Sequence, residues 1–81
     1  MAHAIEAFVR DEFAVSPSDD TFDRTVDLFD DGYVDSVGVI ELLEFIRTSF
    51  GVEIPEEDLF SPDFSTIDGI AAIVTRARTR G

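Results

Sequence analysis

The chain has no cysteine and no lysine, and its single histidine is His3. Without cysteine there can be no disulfide, no thiolate nucleophile and no Cys-based zinc site. Without lysine there is no Schiff-base chemistry and no P-loop. One histidine near the N-terminus cannot build a catalytic triad or a two-His metal site, and a solvated residue in a frayed terminus is its expected state. Carboxylates would be the only general bases left to an enzyme, so a non-catalytic role is expected. No apolar run approaches the ~18 residues of a membrane span, and no basic segment precedes an apolar stretch as in a signal peptide. The expected location is the cytoplasm.

What is present fits one small domain. The 81 residues include 44% hydrophobic residues with eight Phe, enough for one core over residues 1–81 and too few for two. Eighteen acids against six bases, all of them Arg, give a formal net charge of −12. That charge repels nucleic-acid phosphates and anionic lipid and attracts basic protein surfaces. The expectation is a monomer whose partners are proteins, with no nucleic-acid or membrane partner.

Ile5, Phe8, Val9 and Phe13 recur at helical spacing and predict a first helix over Ala2–Phe13. Ser16-Pro17-Ser18-Asp19-Asp20 breaks the pattern. A connection of about twenty residues follows, and nine acids lie between Asp11 and Asp35 with only Arg24 as a base. Its apolar residues, Phe22, Val26, Leu28, Phe29 and Val34, predict a loop pinned onto the core. Over Ser36–Phe50, Leu42, Ile46, Val39, Phe50, Leu43 and Ile40 fall within an arc of about 160°, the expected core face. Phe45 lies outside that arc. Val37, Glu41, Glu44 and Thr48 form a second stripe on the opposite side, and Gly51 supplies a left-handed stop. Val52–Pro55 reads as extended and Pro55–Phe60 as one short helical turn. Ser65-Thr66-Ile67-Asp68 matches a capping signature and opens a last helix with Ile67, Ile70, Ala71, Val74 and Ala77 on one face, ending in Arg76, Arg78 and Arg80. The predicted fold is all-α: a small four-helix bundle of three main helices and one short one, with a long first loop.

Where the loop meets the second helix the sequence runs Leu28-Phe29-Asp30-Asp31-Gly32-Tyr33-Val34-Asp35-Ser36-Val37-Gly38-Val39-Ile40-Glu41-Leu42. This segment resembles the phosphopantetheine-attachment site of acyl and peptidyl carrier proteins, an Asp-Ser pair and an apolar residue opening the second helix. Phe50-Gly51, Ile54-Pro55 and Phe64-Ser65 through Ile67 extend the resemblance over nearly the whole chain. It implies that Ser36 bears a covalent 4'-phosphopantetheine arm derived from coenzyme A, whose thiol supplies what the sequence lacks. It also implies that Asp35 serves the magnesium-dependent transferase that installs the arm. Val37 stands where Leu or Met is common, Glu44 where fatty-acid carriers place an apolar residue, and Arg47-Thr48-Ser49 replaces an acidic run. These departures point away from fatty-acid synthesis. Asp-Ser-x-Gly and the Leu-Phe-Asp-Asp-Gly lead-in look more like freestanding carriers loaded by adenylating ligases, including D-alanyl, aminoacyl and extender-unit carriers of secondary metabolism, and the Met1 start and short length suit such a discrete protein.

The expected function is therefore to hold an acyl or aminoacyl thioester and present it to partner enzymes in polyketide or nonribosomal-peptide biosynthesis. The partners are a phosphopantetheinyl transferase, an adenylating acyl or aminoacyl ligase, and downstream acyl-transfer or synthase enzymes. Val37, Glu41 and Glu44 are the expected docking residues. Two other readings compete. An unmodified carrier-like module could act by docking its acidic surface alone, and Ser36 could be only a helix cap. Against the latter, Val39 stands where a capping box needs Glu, and Gly38 lowers helix propensity by ~1 kcal/mol. Gly38 serves either close packing or a low surface for a docking enzyme. Asp27, Asp30, Asp31 and Gly32 faintly resemble a calcium loop, but with Asp27 first the third position is Phe29 and the twelfth is Gly38, so no calcium site is expected.

Overall fold

The computed structural model describes residues 1–16 and 18–80, without the Arg80 side chain. The break at Pro17 and the side-chain role of Arg80 therefore lie outside the described residues. Four helices follow one another: α1 (Ala2–Glu12), α2 (Ser36–Phe50), α3 (Glu56–Leu59) and α4 (Ile67–Arg80), with a 3-10 turn at Pro62–Ser65 before α4. No strand occurs among the described residues. The all-α bundle of three long helices and one short helix is the architecture the sequence predicts.

Periodicity explains the helices and neighbouring packing explains the corrections. Ile5 and Val9 of α1, Leu42 and Ile46 of α2, and Ile67, Ile70, Ile73 and Val74 of α4 are fully buried in one core. Ile73 lies beyond the face drawn for the last helix, which is covered more widely than its spacing shows. Helix α1 ends one residue early, with Phe13 at its C-cap, and the exposed His3 lies in its first turn. Gly51 ends α2 at φ 67°, the left-handed region where a side chain would be strained. The cap of α4 is Thr66, whose Oγ1 accepts from the Gly69 amide at 2.9 Å. Ser65, the expected cap, instead closes the 3-10 turn by donating to the Pro62 carbonyl at 2.6 Å.

In α2 the buried face is rotated by about 60° from the predicted arc. Phe45 is drawn inward, its ring stacked on Phe8 of α1 with centroids 4.2 Å apart. Ile40 is turned out and is 68% exposed. Burying an aromatic ring against another removes more apolar surface than burying Ile40 would, and one helix cannot do both.

The long connection is pinned to the core, as its apolar residues predict. Phe22, Leu28 and Val34 are buried. Its backbone is tied to the far half of the chain: the Leu28 amide donates to the Ser65 carbonyl at 2.7 Å and the Asp68 amide to the Arg24 carbonyl at 3.0 Å. Between these anchors, side-chain turns replace regular structure. Asp19 accepts from the Thr21 amide, Asp23 from the Thr25 amide, and Asp27 from the amides of Phe29 and Asp30. The carboxyls of Asp19 and Asp23 are held below their usual range by the Thr21 and Thr25 hydroxyls, and that of Asp27 by the Asp30 amide. Of the loop acids that faintly resemble calcium ligands, Asp27 thus caps the loop itself, and no metal-holding group of acids occurs among the described residues.

Candidate functional site: the start of helix α2

Asp35 is the N-cap of α2, and its Oδ1 accepts from the Gly38 amide at 2.8 Å. Ser36 is consequently the first helical residue rather than the cap, and it is exposed. Reading Ser36 as only a cap is excluded on this geometry, because the neighbouring side chain does that work. The Val39 amide reaches the Asp35 carbonyl at 3.1 Å and begins the regular ladder. The Ser36 and Val37 amides precede that ladder, so the hydroxyl stands beside donors without a partner among the described residues, at the positive end of a four-turn helix.

Gly38 is explained by packing. It is buried, and a Cβ there would lie 2.7 Å from Cε1 of Phe13 and 2.9 Å from Cγ1 of Val34. The last residue of the long loop's apolar set and the cap of α1 thus meet beneath the first turn of α2. This close approach fixes Ser36 in height and direction relative to the core.

Of the expected docking stripe, Val37 is 64% exposed and Glu41 and Glu44 are exposed beside it. The two acids differ in environment. Glu44 is held by Arg47 of the next turn, with Nη2 to Oε1 at 2.6 Å and Nε to Oε2 at 3.3 Å. Glu41 instead faces Glu12 at the end of α1, and this carboxyl-to-carboxyl hydrogen bond, with desolvation and the charge of Asp35 adding to it, pushes Glu41 above its usual range. The sequence pattern of α2 alone does not show Glu12 or Phe8, because they come to this face from another helix.

Two open grooves flank Ile40. One, of about 490 Å³, runs between α1 and α2 and is lined by Phe8, Glu12, Ile40, Glu41, Phe45 and neighbouring residues. The other, of about 360 Å³, runs between α2 and the Val52–Ile54 strand-like segment and has Leu43 and Val52 in its lining.

Residues 3–74 match the family described as phosphopantetheine attachment site. Most of the chain is covered by that match. The protein belongs to the phosphopantetheine-binding carrier family, and its cofactor is covalently attached 4'-phosphopantetheine. It is 32% identical over 68 residues to the D-alanyl carrier protein of Streptococcus thermophilus, with 84% of each chain covered. The D-alanyl carrier protein of Streptococcus gordonii matches at the same identity and coverage. This supports the freestanding type of carrier. Carriers of this family are generally non-catalytic and work with a phosphopantetheinyl transferase and with ligase or acyl-transfer enzymes. No helix among the described residues is long and apolar enough to cross a membrane.

The residues at the start of α2 suit such an arm. A hydroxyl exposed at a helix N-terminus can bear a phosphodiester, because the unpaired amides and the helix dipole favour the added negative charge. Bound there, the arm supplies the thiol on which a thioester forms.

Proposed function

We infer that this protein carries a small amino acid or small polar acid as a thioester on an arm joined to Ser36, and presents it to partner enzymes in the cytoplasm. The observation that carries the reading is the exposed Ser36 at the first position of α2, held there by the Asp35 cap and by the packing of Gly38 on Phe13 and Val34. With Oδ1 of Asp35 engaged by Gly38, Oδ2 is the oxygen offered to the transferase's magnesium, a hard cation suited to a carboxylate. An adenylating ligase is the loading partner and an acyl-transfer enzyme the receiver. The D-alanyl relatives favour an amino acid as cargo. They lend no support to the polyketide or nonribosomal-peptide setting expected from the sequence. Val37 and Glu41 are the docking residues nearest the arm, and Glu44 contributes less because Arg47 already balances it.

The test is intact-protein mass spectrometry after incubation with coenzyme A and a promiscuous phosphopantetheinyl transferase. The wild type should gain one phosphopantetheine and Ser36→Ala none. An unchanged mass of folded wild type, beside a control carrier that is converted, would instead establish the unmodified docking module. Efficient loading of the holo form with long-chain fatty acids alone would overturn the cargo assignment.

A further inference from the structure

We propose that the groove between α1 and α2 is the seat of an arginine side chain presented by a partner protein, its stem lying along Phe8, Ile40 and Phe45 and its guanidinium between Glu12 and Glu41. The inference rests on the carrier reading, in which partners must approach Ser36, and adds a contact made by α1. Helix geometry places Ile40 about 6 Å along α2 from Ser36, so a partner reaching the arm passes over this groove.

Three placements here are unfavourable to the isolated chain. Glu12 is an acid in the last turn of α1, at the negative end of the helix dipole. Glu41 stands against it as a second acid. Among the described residues no ion pair joins an arginine to either of them: Arg10 and Arg24 pair with Glu6, Arg47 pairs with Glu44, and Arg76 and Arg78 lie on α4. The fourth placement is apolar: Ile40 protrudes into solvent at the groove's edge, and the stacked rings of Phe8 and Phe45 are only half-buried. A basic side chain with an aliphatic stem answers both features at once. Its methylenes cover apolar surface while its head meets the carboxylates, and a guanidinium also suits an aromatic face. The volume of about 490 Å³ leaves room for a side chain of that size.

The test is an NMR titration of the full chain with three probes. They are N-acetyl-arginine methylamide, the neutral isostere N-acetyl-citrulline methylamide, and alaninamide, whose ammonium has no stem. The arginine probe should give saturable shifts at Phe8, Glu12, Ile40, Glu41 and Phe45, the citrulline probe none, and alaninamide markedly weaker ones. Glu12→Gln and Glu41→Gln should each weaken the arginine probe by up to about fivefold, the span of exposed ion pairs. Shifts of equal size along Asp27–Asp31 would show attraction by charge alone and overturn the assignment. Equal binding of alaninamide would make the groove a site for a cargo ammonium and overturn it too. Probe selectivity on the wild type decides the matter even if a variant misfolds. Mass spectrometry of the same samples after transferase treatment tests the carrier reading separately, since attachment at Ser36 needs neither glutamate.

Discussion

The Asp35 carboxylate and the Gly38 amide are joined by a 2.8 Å hydrogen bond, so the residue before Ser36 is the cap of the helix. Asp35 thereby has a structural duty distinct from any metal it holds for a partner. The bond also orients the first turn from one side while Phe13 and Val34 support it from beneath.

The cap role of Asp35 and its proposed metal role separate by substitution. Asp35→Ala should lower stability by about 0.5–2 kcal/mol, the range for losing an N-cap. Asp35→Asn should stay near the wild type, because an amide oxygen can still accept from Gly38. Both should be modified slowly by the transferase, because neither offers a carboxylate to magnesium. Urea denaturation alongside a mass-spectrometric time course checks this. An Asn variant modified at the wild-type rate would show that the carboxylate acts only as a cap.

Gly69 provides a sharper packing test. A Cβ there would lie 1.8 Å from the Asp63 carbonyl oxygen, a backbone atom held in the 3-10 turn. Alanine normally gains ~1 kcal/mol over glycine within a helix. Here overpacking should outweigh that gain, and Gly69→Ala should lose about 1–3 kcal/mol. Thermal unfolding decides, and a melting temperature at or above wild type would contradict the close approach of the turn to α4.

Spacing reveals which residues can share a face, but it does not show what covers that face. Leu42 and Ile46 belong both to the predicted arc and to the observed face, and they are buried. Ile40 sits at one edge of the predicted arc and Phe45 lies beyond the other, and Phe8 on another helix chose between them. The site is legible for the same reason that its surroundings are not. Asp35 and Ser36 are adjacent in sequence, whereas Glu12 and Glu41 meet only through the packing of α1 on α2. Gly38 marks a close approach in the sequence without naming Phe13 and Val34 as its partners. The cap of α4 slipped by one residue because the 3-10 turn takes up Ser65, which the capping pattern favoured over Thr66 through Asp68 three residues on.

Glu6 links the long loop to α1. It accepts from Arg24 at 2.7 Å and from Arg10 at 2.9 Å, and the Arg24 bond first and the Arg10 bond second hold its carboxyl below the usual range. A depressed carboxyl pKa stabilises the fold above its unfolded value and loses that contribution as pH falls through the folded one. Both arginines are partly solvent-exposed, so screening limits the effect to about 0.5–1 kcal/mol. Glu6→Gln should therefore be less stable than the wild type at pH 7, with the difference closing below about pH 4. Urea melts at both pH values check this, and a difference independent of pH would assign the role of Glu6 to packing.

Glu41 should show the opposite sign. Glu41 is raised because a second carboxyl faces it, so the pair opposes folding once both are ionised and the opposition fades as pH falls through the raised value. Removing the neighbour's charge with Glu12→Gln should bring the Glu41 titration down toward that of an ordinary glutamate. It should leave stability at pH 7 unchanged or slightly higher, whereas loss of a favourable contact would lower it. Side-chain carboxyl NMR of Glu41 against pH, in the wild type and in Glu12→Gln, measures the first effect, and urea melts measure the second. Arg47 pairs with Glu44 one turn farther on, so Glu44→Gln serves as the control and should move Glu41 far less than Glu12→Gln does. If Glu41 titrates identically in the wild type and in Glu12→Gln, the two carboxyls do not meet in solution, and α1 stands farther from the start of α2 than the Phe8–Phe45 stack requires.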